Sequence, residues 1–139
     1  MRILVSSCLL GEDTRYDGLN SSIALNPKFR FSQKELFMDI MCENEIFSIC
    51  PEVAGGLGIP RNKSEIKSHN KPCMVIDEKE NDVTINFLIG AKKALDICLE
   101  NSIKVALFKS KSPSCGNIEV YDGTFSKKLV LEKGLTARL

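Results

Sequence analysis

Ile3-Leu4-Val5-Ser6-Ser7-Cys8 is a short apolar run closed by two hydroxyls and a thiol, with Gly11 soon after. Its length suits a strand rather than a helix, and its lack of alternation marks a strand covered on both faces. The run also mimics a short export signal or a lipoprotein box. However, only about eight residues precede the charged Gly11-Glu12-Asp13-Thr14-Arg15, too few for a signal with its flanks. A buried first strand in a cytoplasmic protein is therefore expected.

Downstream, Ser32-Gln33-Lys34-Glu35 reads as a capping box. With Leu36, Phe37, Ile40 and Met41 at helical spacing it predicts a helix over 32–44. A second strand is expected at 46–50, stopped by Pro51, and a third at 73–76, at a sheet edge. Phe87, Leu88, Ala91, Leu95 and Cys98 form one stripe, predicting a helix over 84–101 that Thr84 caps and Asn101 ends. Residues 103–108 read as another strand, and 119–121 and 128–131 flank the turn signal Asp122-Gly123. The order predicts an α/β protein: a single-domain, three-layer fold over 1–139 with a mainly parallel sheet. In such sheets ligands sit beyond the C-terminal ends of the strands.

Composition agrees with one soluble globular domain: 139 residues, 43% hydrophobic and 27% charged. Disordered, collagen-like and coiled-coil chains are excluded. Nineteen Lys and Arg against 18 Asp and Glu leave a net charge of +1, which argues against a surface built throughout for nucleic acid. No apolar run reaches the roughly 18 residues of a membrane span.

The 6 cysteines exceed what packing needs, and in a reducing compartment they point to metal or thiol chemistry. No C-x-x-C occurs, which removes zinc-ribbon, rubredoxin and thioredoxin-like readings, and His69 is the single histidine. Cys98 lies on the apolar stripe of its predicted helix, Cys42 in the last turn of the earlier one and Cys73 at the start of an apolar strand, and all three read as small buried hydrophobes. Cys8, Cys50 and Cys115 differ. Cys8 follows the first predicted strand, Cys50 ends the second and Cys115 lies in the loop after the strand at 103–108, so the three can meet at one edge of the sheet.

Their neighbours suit a site. Glu52 lies two residues beyond Cys50, and Gly55-Gly56-Leu57-Gly58-Ile59-Pro60-Arg61 lets backbone approach a ligand while Arg61 meets an anionic or carbonyl group. Ser112 and Ser114 place hydroxyls beside Cys115. Three thiolates without a fourth protein ligand fit two schemes. One is a [4Fe–4S] cluster with an iron left open to substrate. The other is zinc carrying three sulfurs and a water, which three thiolates would make a poor nucleophile. The corresponding activities are an iron–sulfur enzyme, a zinc-dependent hydrolase, and a non-enzymatic Fe–S or thiol redox protein. The deaminase signature H-x-E…P-C-x-x-C and the dinucleotide fingerprint are absent.

Four motifs occur in a telling order. They are Ser7-Cys8-Leu9-Leu10-Gly11; Arg15-Tyr16-Asp17-Gly18; Cys50-Pro51-Glu52 with Gly56-Leu57 and Pro60-Arg61; and Lys109-Ser110-Lys111-Ser112-Pro113-Ser114-Cys115-Gly116 with Tyr121-Asp122-Gly123-Thr124-Phe125. In this the chain resembles the TudS-type thiouracil desulfidase family, also known as domain-of-unknown-function family 523, over nearly its whole length.

The resemblance implies a small α/β domain holding an oxygen-sensitive [4Fe–4S] cluster through Cys8, Cys50 and Cys115. It implies removal of sulfur from a small thiolated pyrimidine, with thiolated tRNA as a substrate of some relatives. Glu52 and Ser112 would be the catalytic pair. Ser7, Arg15, Gly55, Gly56, Arg61 and Ser114 are candidate substrate contacts. Two departures stand out: Thr14 occupies a position where many relatives have a further cysteine, and relatives run past 134–137 into a closing helix where this chain stops at Leu139. His69, in a polar stretch, is expected to be exposed. The lysines of the last third are expected to be mainly solvated.

Overall fold

The computed structural model describes all of Met1–Leu139. The opening apolar run forms β1 (Arg2–Ser6), the middle strand of a 3-stranded parallel sheet between β2 (Glu45–Ile49) and β5 (Val105–Leu107). Ile3 is in register with Ile46 and Val105, and Val5 with Ser48 and Leu107. A middle strand has no solvent face, so Ile3, Leu4 and Val5 are all buried.

Alternate β1 side chains feed two cores. Ile3 and Val5 pack with Cys8 and Leu9, covered by Ile40 and Met41 of α1 (Phe31–Glu43). Leu4 meets Ile49, Ile103 and, from α3 (Thr84–Glu100), Ala94, Ile97 and Cys98. A helix on each face completes the three expected layers. Truncating Leu4 to alanine would cost about 2–5 kcal/mol, the lost transfer energy plus the cavity left behind.

A third core extends α3 sideways. Phe87 packs with Ile66 of β3 (Ser64–Ser68), Val75 of β4 (Met74–Asp77), Val120 of β6 (Val120–Tyr121) and Leu135 of α4 (Leu135–Arg138). β3 and β4 are an antiparallel pair, as are β6 and β7 (Leu129–Val130). The strand expected at 73–76 is therefore not an edge of the main sheet. It pairs instead with β3, which the sequence hides because Ser64-Glu65-Ile66-Lys67-Ser68 carries a single apolar side chain. Asp77 ties this hairpin together. Its carboxylate accepts from the backbone N–H groups of Lys79 and Asn81 and from the Asn62 and Asn81 amides. Burial pushes the carboxyl pKa up, but these hydrogen bonds outweigh it and hold the group at about 2.

Local details depart from expectation. α1 is capped at Arg30, whose N–H donates to Gln33 Oε1 at 2.9 Å, so Ser32 lies inside the first turn. Thr84 starts α3 rather than capping it; its Oγ1 accepts from Val75 N at 2.9 Å and fastens the helix to β4. Asn101 does end α3. The buried face of α3 is Phe87, Gly90, Ala91 and Ala94, whereas Leu88 is exposed. The reason is a backbone-to-backbone contact with α2 (Pro51–Ala54): a Cβ on Gly90 would lie 1.8 Å from the Pro51 carbonyl oxygen. Cys42 points to solvent, because α1 turns Phe37, Ile40 and Met41 inward instead. His69 is half-buried, not exposed: Arg138 reaches its Nδ1 and its carbonyl, and Glu132 lies 3.9 Å from Nδ1.

Candidate active site

Because β1, β2 and β5 run parallel, their C-terminal ends share one edge of the sheet. β1 passes into a 3-10 turn (Ser7–Leu10) that carries Cys8, and Gly11 closes this turn in the left-handed region that favours glycine. Cys50 follows β2 directly and is the N-cap residue of α2, with Pro51 in the first helical turn. Cys115 lies in the loop after β5. All three cysteines line a single cavity of about 390 Å³. No three His, Cys, Asp or Glu side chains gather tightly enough to hold a single metal ion.

The thiols feel one another. Burial pushes the Cys8 thiol up and Cys50 raises it further, against the pull of Lys109 and Arg15. Burial drives the Cys115 thiol to about 12; hydrogen bonds with Ser6 and Ser114 oppose this, and Glu52 and Cys50 add to it. Left unligated, Cys8 and Cys115 are thus held as neutral thiols. Desolvation also lowers the Lys109 pKa, so its charge is costly in this wall.

Glu52 sits in the first turn of α2 and joins the two sides of the cavity. Its Oε2 accepts from Ser114 Oγ at 3.4 Å, and Ser114 Oγ lies 3.0 Å from Ser112 Oγ and 3.6 Å from Cys115 Sγ. Its Oε1 pairs with Arg61 Nε at 3.5 Å, and the Arg61 side chain is 7% exposed. Arg61 Nη2 then donates to the Thr14 carbonyl at 3.0 Å and approaches Cys50 Sγ at 4.0 Å. A polar arc therefore runs from Cys115 through Ser114, Glu52 and Arg61 to Cys50. Ser112 Oγ accepts from the Ser114 and Cys115 backbone N–H groups, which fixes the turn.

Of the other residues singled out in the sequence, Ser7 and Arg15 line the cavity. Arg15 is steadied by Asp17 at 3.2 Å within the turn that Gly18 closes. Thr14 lines the cavity too, and its carbonyl accepts from Cys50 Sγ at 3.6 Å. Gly55 and Gly56 do not line it. Gly55 is a packing residue, since a Cβ there would lie 1.9 Å from the Asn86 carbonyl oxygen, whereas its own carbonyl accepts from the Asn86 amide. The remaining walls were not anticipated. Glu65 and Glu78 come from the β3–β4 hairpin, Tyr121 from the end of β6, and Phe125 and Lys127 from the β6–β7 connection. The aromatic pair lay in the fourth motif, which supplied a signal without a role.

The model of the 2-thiouracil desulfurase family matches residues 3–139. The chain belongs to that family. It is 35% identical to the uncharacterised protein YbbK of Bacillus subtilis (strain 168), over 99% of this chain and 87% of that one. Among solved structures it is similar to the [4Fe–4S]-dependent thiouracil desulfidase TudS, with a TM-score of 0.82 and 36% identity over 99% of this chain and 82% of that one. Membership of the desulfurase family makes an enzyme of this mixed α/β protein, and no helix is long and apolar enough to cross a membrane.

Proposed function

We propose that the protein replaces the sulfur of a thiolated uracil (base, nucleoside or nucleotide) by oxygen and releases hydrogen sulfide, using a [4Fe–4S] cluster held by Cys8, Cys50 and Cys115. The observation that carries this reading is the meeting of three thiols around one cavity with a carboxylate and two serines on its wall. Thiols set around a space, rather than at one point, suit a group of several irons better than a lone zinc ion.

With three protein ligands, the cluster would supply one open iron as a soft Lewis acid for the thiocarbonyl sulfur. Glu52 is placed to take a proton from an attacking water. Arg61 holds its carboxylate in place, and Ser112, linked to Glu52 by way of Ser114, passes a proton towards the ring or the departing sulfur. Such acid–base help contributes about 10² to 10⁴ in rate. The overall change, C=S and water to C=O and hydrogen sulfide, balances as a hydrolysis and needs no electron donor. The reading places this chemistry in one cytoplasmic domain, 1–139.

Anaerobic purification followed by iron analysis and assay of sulfide release from 2- and 4-thiouracil, with thiolated tRNA as a separate arm, tests it. Brown protein with about four irons, bleached in Cys115→Ala, is expected. Glu52→Ala should stay brown and lose sulfide release. Zinc in place of iron, or iron without sulfide release from any of these substrates, would overturn the reading.

A further inference from the structure

The walls of the cavity include the edge of the parallel sheet with its thiols, the β3–β4 hairpin, and the segment that runs from β6 to β7. That connection has a costly backbone. Gly123 is at φ 87°, and Phe125 and Lys127 take φ 56° and 64°, a region that side chains with a Cβ disfavour. Its flanking strands contribute only Val120–Tyr121 and Leu129–Val130, too little pairing to impose such a shape. Within the segment, Asp122 N donates to the Lys128 carbonyl and Thr124 N to Asp122 Oδ1, but the Gly123 and Phe125 amides are held from outside.

Glu65 is the holding group. It is 8% exposed, and its Oε2 accepts from both Gly123 N and Phe125 N at 3.0 Å. Gly123 is pressed against the same strand, where a Cβ would lie 2.6 Å from the Ile66 carbonyl oxygen. The segment so fixed presents Tyr121 and Phe125 to the cavity, and aromatic faces suit a flat pyrimidine ring.

We propose that Glu65 is a positioning residue that sets substrate fit, by clamping the Gly123 and Phe125 amides so that Tyr121 and Phe125 form the wall that receives the pyrimidine ring. This deepens the proposed function and rests on it for the identity of the ring. Hydrogen bonds to a buried carboxylate are among the stronger ones in proteins, so losing two should free the segment.

The test compares the full-length wild type with Glu65→Ala, Glu65→Gln and Phe125→Ala. Amide exchange at residues 123 and 125 is measured alongside iron content, KM and kcat for 2-thiouracil. Glu65→Ala is expected to speed exchange at both amides and raise KM by about tenfold or more, with iron content kept and kcat within about threefold. Glu65→Gln, which keeps one acceptor oxygen, should fall between. Phe125→Ala should raise KM without speeding exchange at Gly123. Full protection of both amides in Glu65→Ala, or a loss confined to kcat, overturns the proposal. If Glu65→Ala does not fold, unchanged KM in both other variants overturns it. Absence of sulfide release by the wild type overturns the proposed function instead, and the Kd for 2-thiouracil, measured by calorimetry on the same variants, then decides the role of Glu65.

Discussion

Ser114 and Glu52, 62 positions apart, are joined by a 3.4 Å hydrogen bond in which the serine hydroxyl donates to the carboxylate. Ser114 is 1% exposed, so this hydroxyl is a fixed part of the wall rather than a surface contact for substrate. It is also within 3.0 Å of Ser112 Oγ and so completes the path between the two residues placed in acid–base roles. Ser114→Ala should lower kcat about 10- to 100-fold and destabilise the fold by about 1–2 kcal/mol, because Glu52 loses a donor in a poorly hydrated place. Iron content should not change. Steady-state kinetics and urea unfolding check both halves, and full turnover in the variant would remove Ser114 from the path.

Arg61 holds Glu52 while its side chain is 7% exposed and that of Glu52 14% exposed. A carboxylate shielded this far from water depends on its partner. Arg61→Met is expected to cost about 3 kcal/mol in the folded state, as when one member of a buried pair is removed. Arg61→Lys should recover only part of this, since an ammonium cannot reach Glu52, Gly58 and Thr14 together as the guanidinium does. Urea midpoints of the two variants give the comparison.

Gly90→Ala separates helix propensity from packing. Propensity alone favours alanine by about 1 kcal/mol in a helix interior. The new methyl would meet the Pro51 carbonyl at 1.8 Å, and neither backbone can yield without moving the turn that carries Cys50 and Glu52. A net destabilisation of about 2 kcal/mol is expected, with reduced activity. A raised Tm would show that α2 and α3 can separate freely.

Acid should act through Asp77. Its pKa is about 2 in the fold against 3.8 for a free side chain, so the hairpin gains from its charge above about pH 4 and loses that gain as pH falls towards 2. The stability gap between wild type and Asp77→Asn should be level above about pH 5 and shrink below about pH 4. Chemical denaturation across this range reads the gap directly.

What the sequence made legible is what simple periodicity and chain order encode. A continuous apolar run belongs in the middle of a parallel sheet, and the cysteines that follow such runs end at one edge, as Cys8, Cys50 and Cys115 do in lining one cavity. Less legible were features set by contacts between distant segments. β3 escaped because the alternation of a short hairpin is lost when Glu65 turns inward to bind backbone. The face of α3 was misjudged because a glycine against a carbonyl leaves no hydrophobic signature, and for the same reason Gly55 looked like a ligand loop. Ser114 read only as a candidate substrate contact because nothing in Ser112-Pro113-Ser114 announces a carboxylate arriving from residue 52.

The position of β1 also has a consequence for synthesis. β1 is synthesised before both strands that flank it, so Ile3 must wait for Val105 before its second flank is closed. Until β5 has been made, the nascent chain therefore carries a greasy ribbon with an open hydrogen-bonding side. Sequences tuned for rapid expression would do well to slow codon usage nowhere between 50 and 105, since any pause there prolongs that exposure.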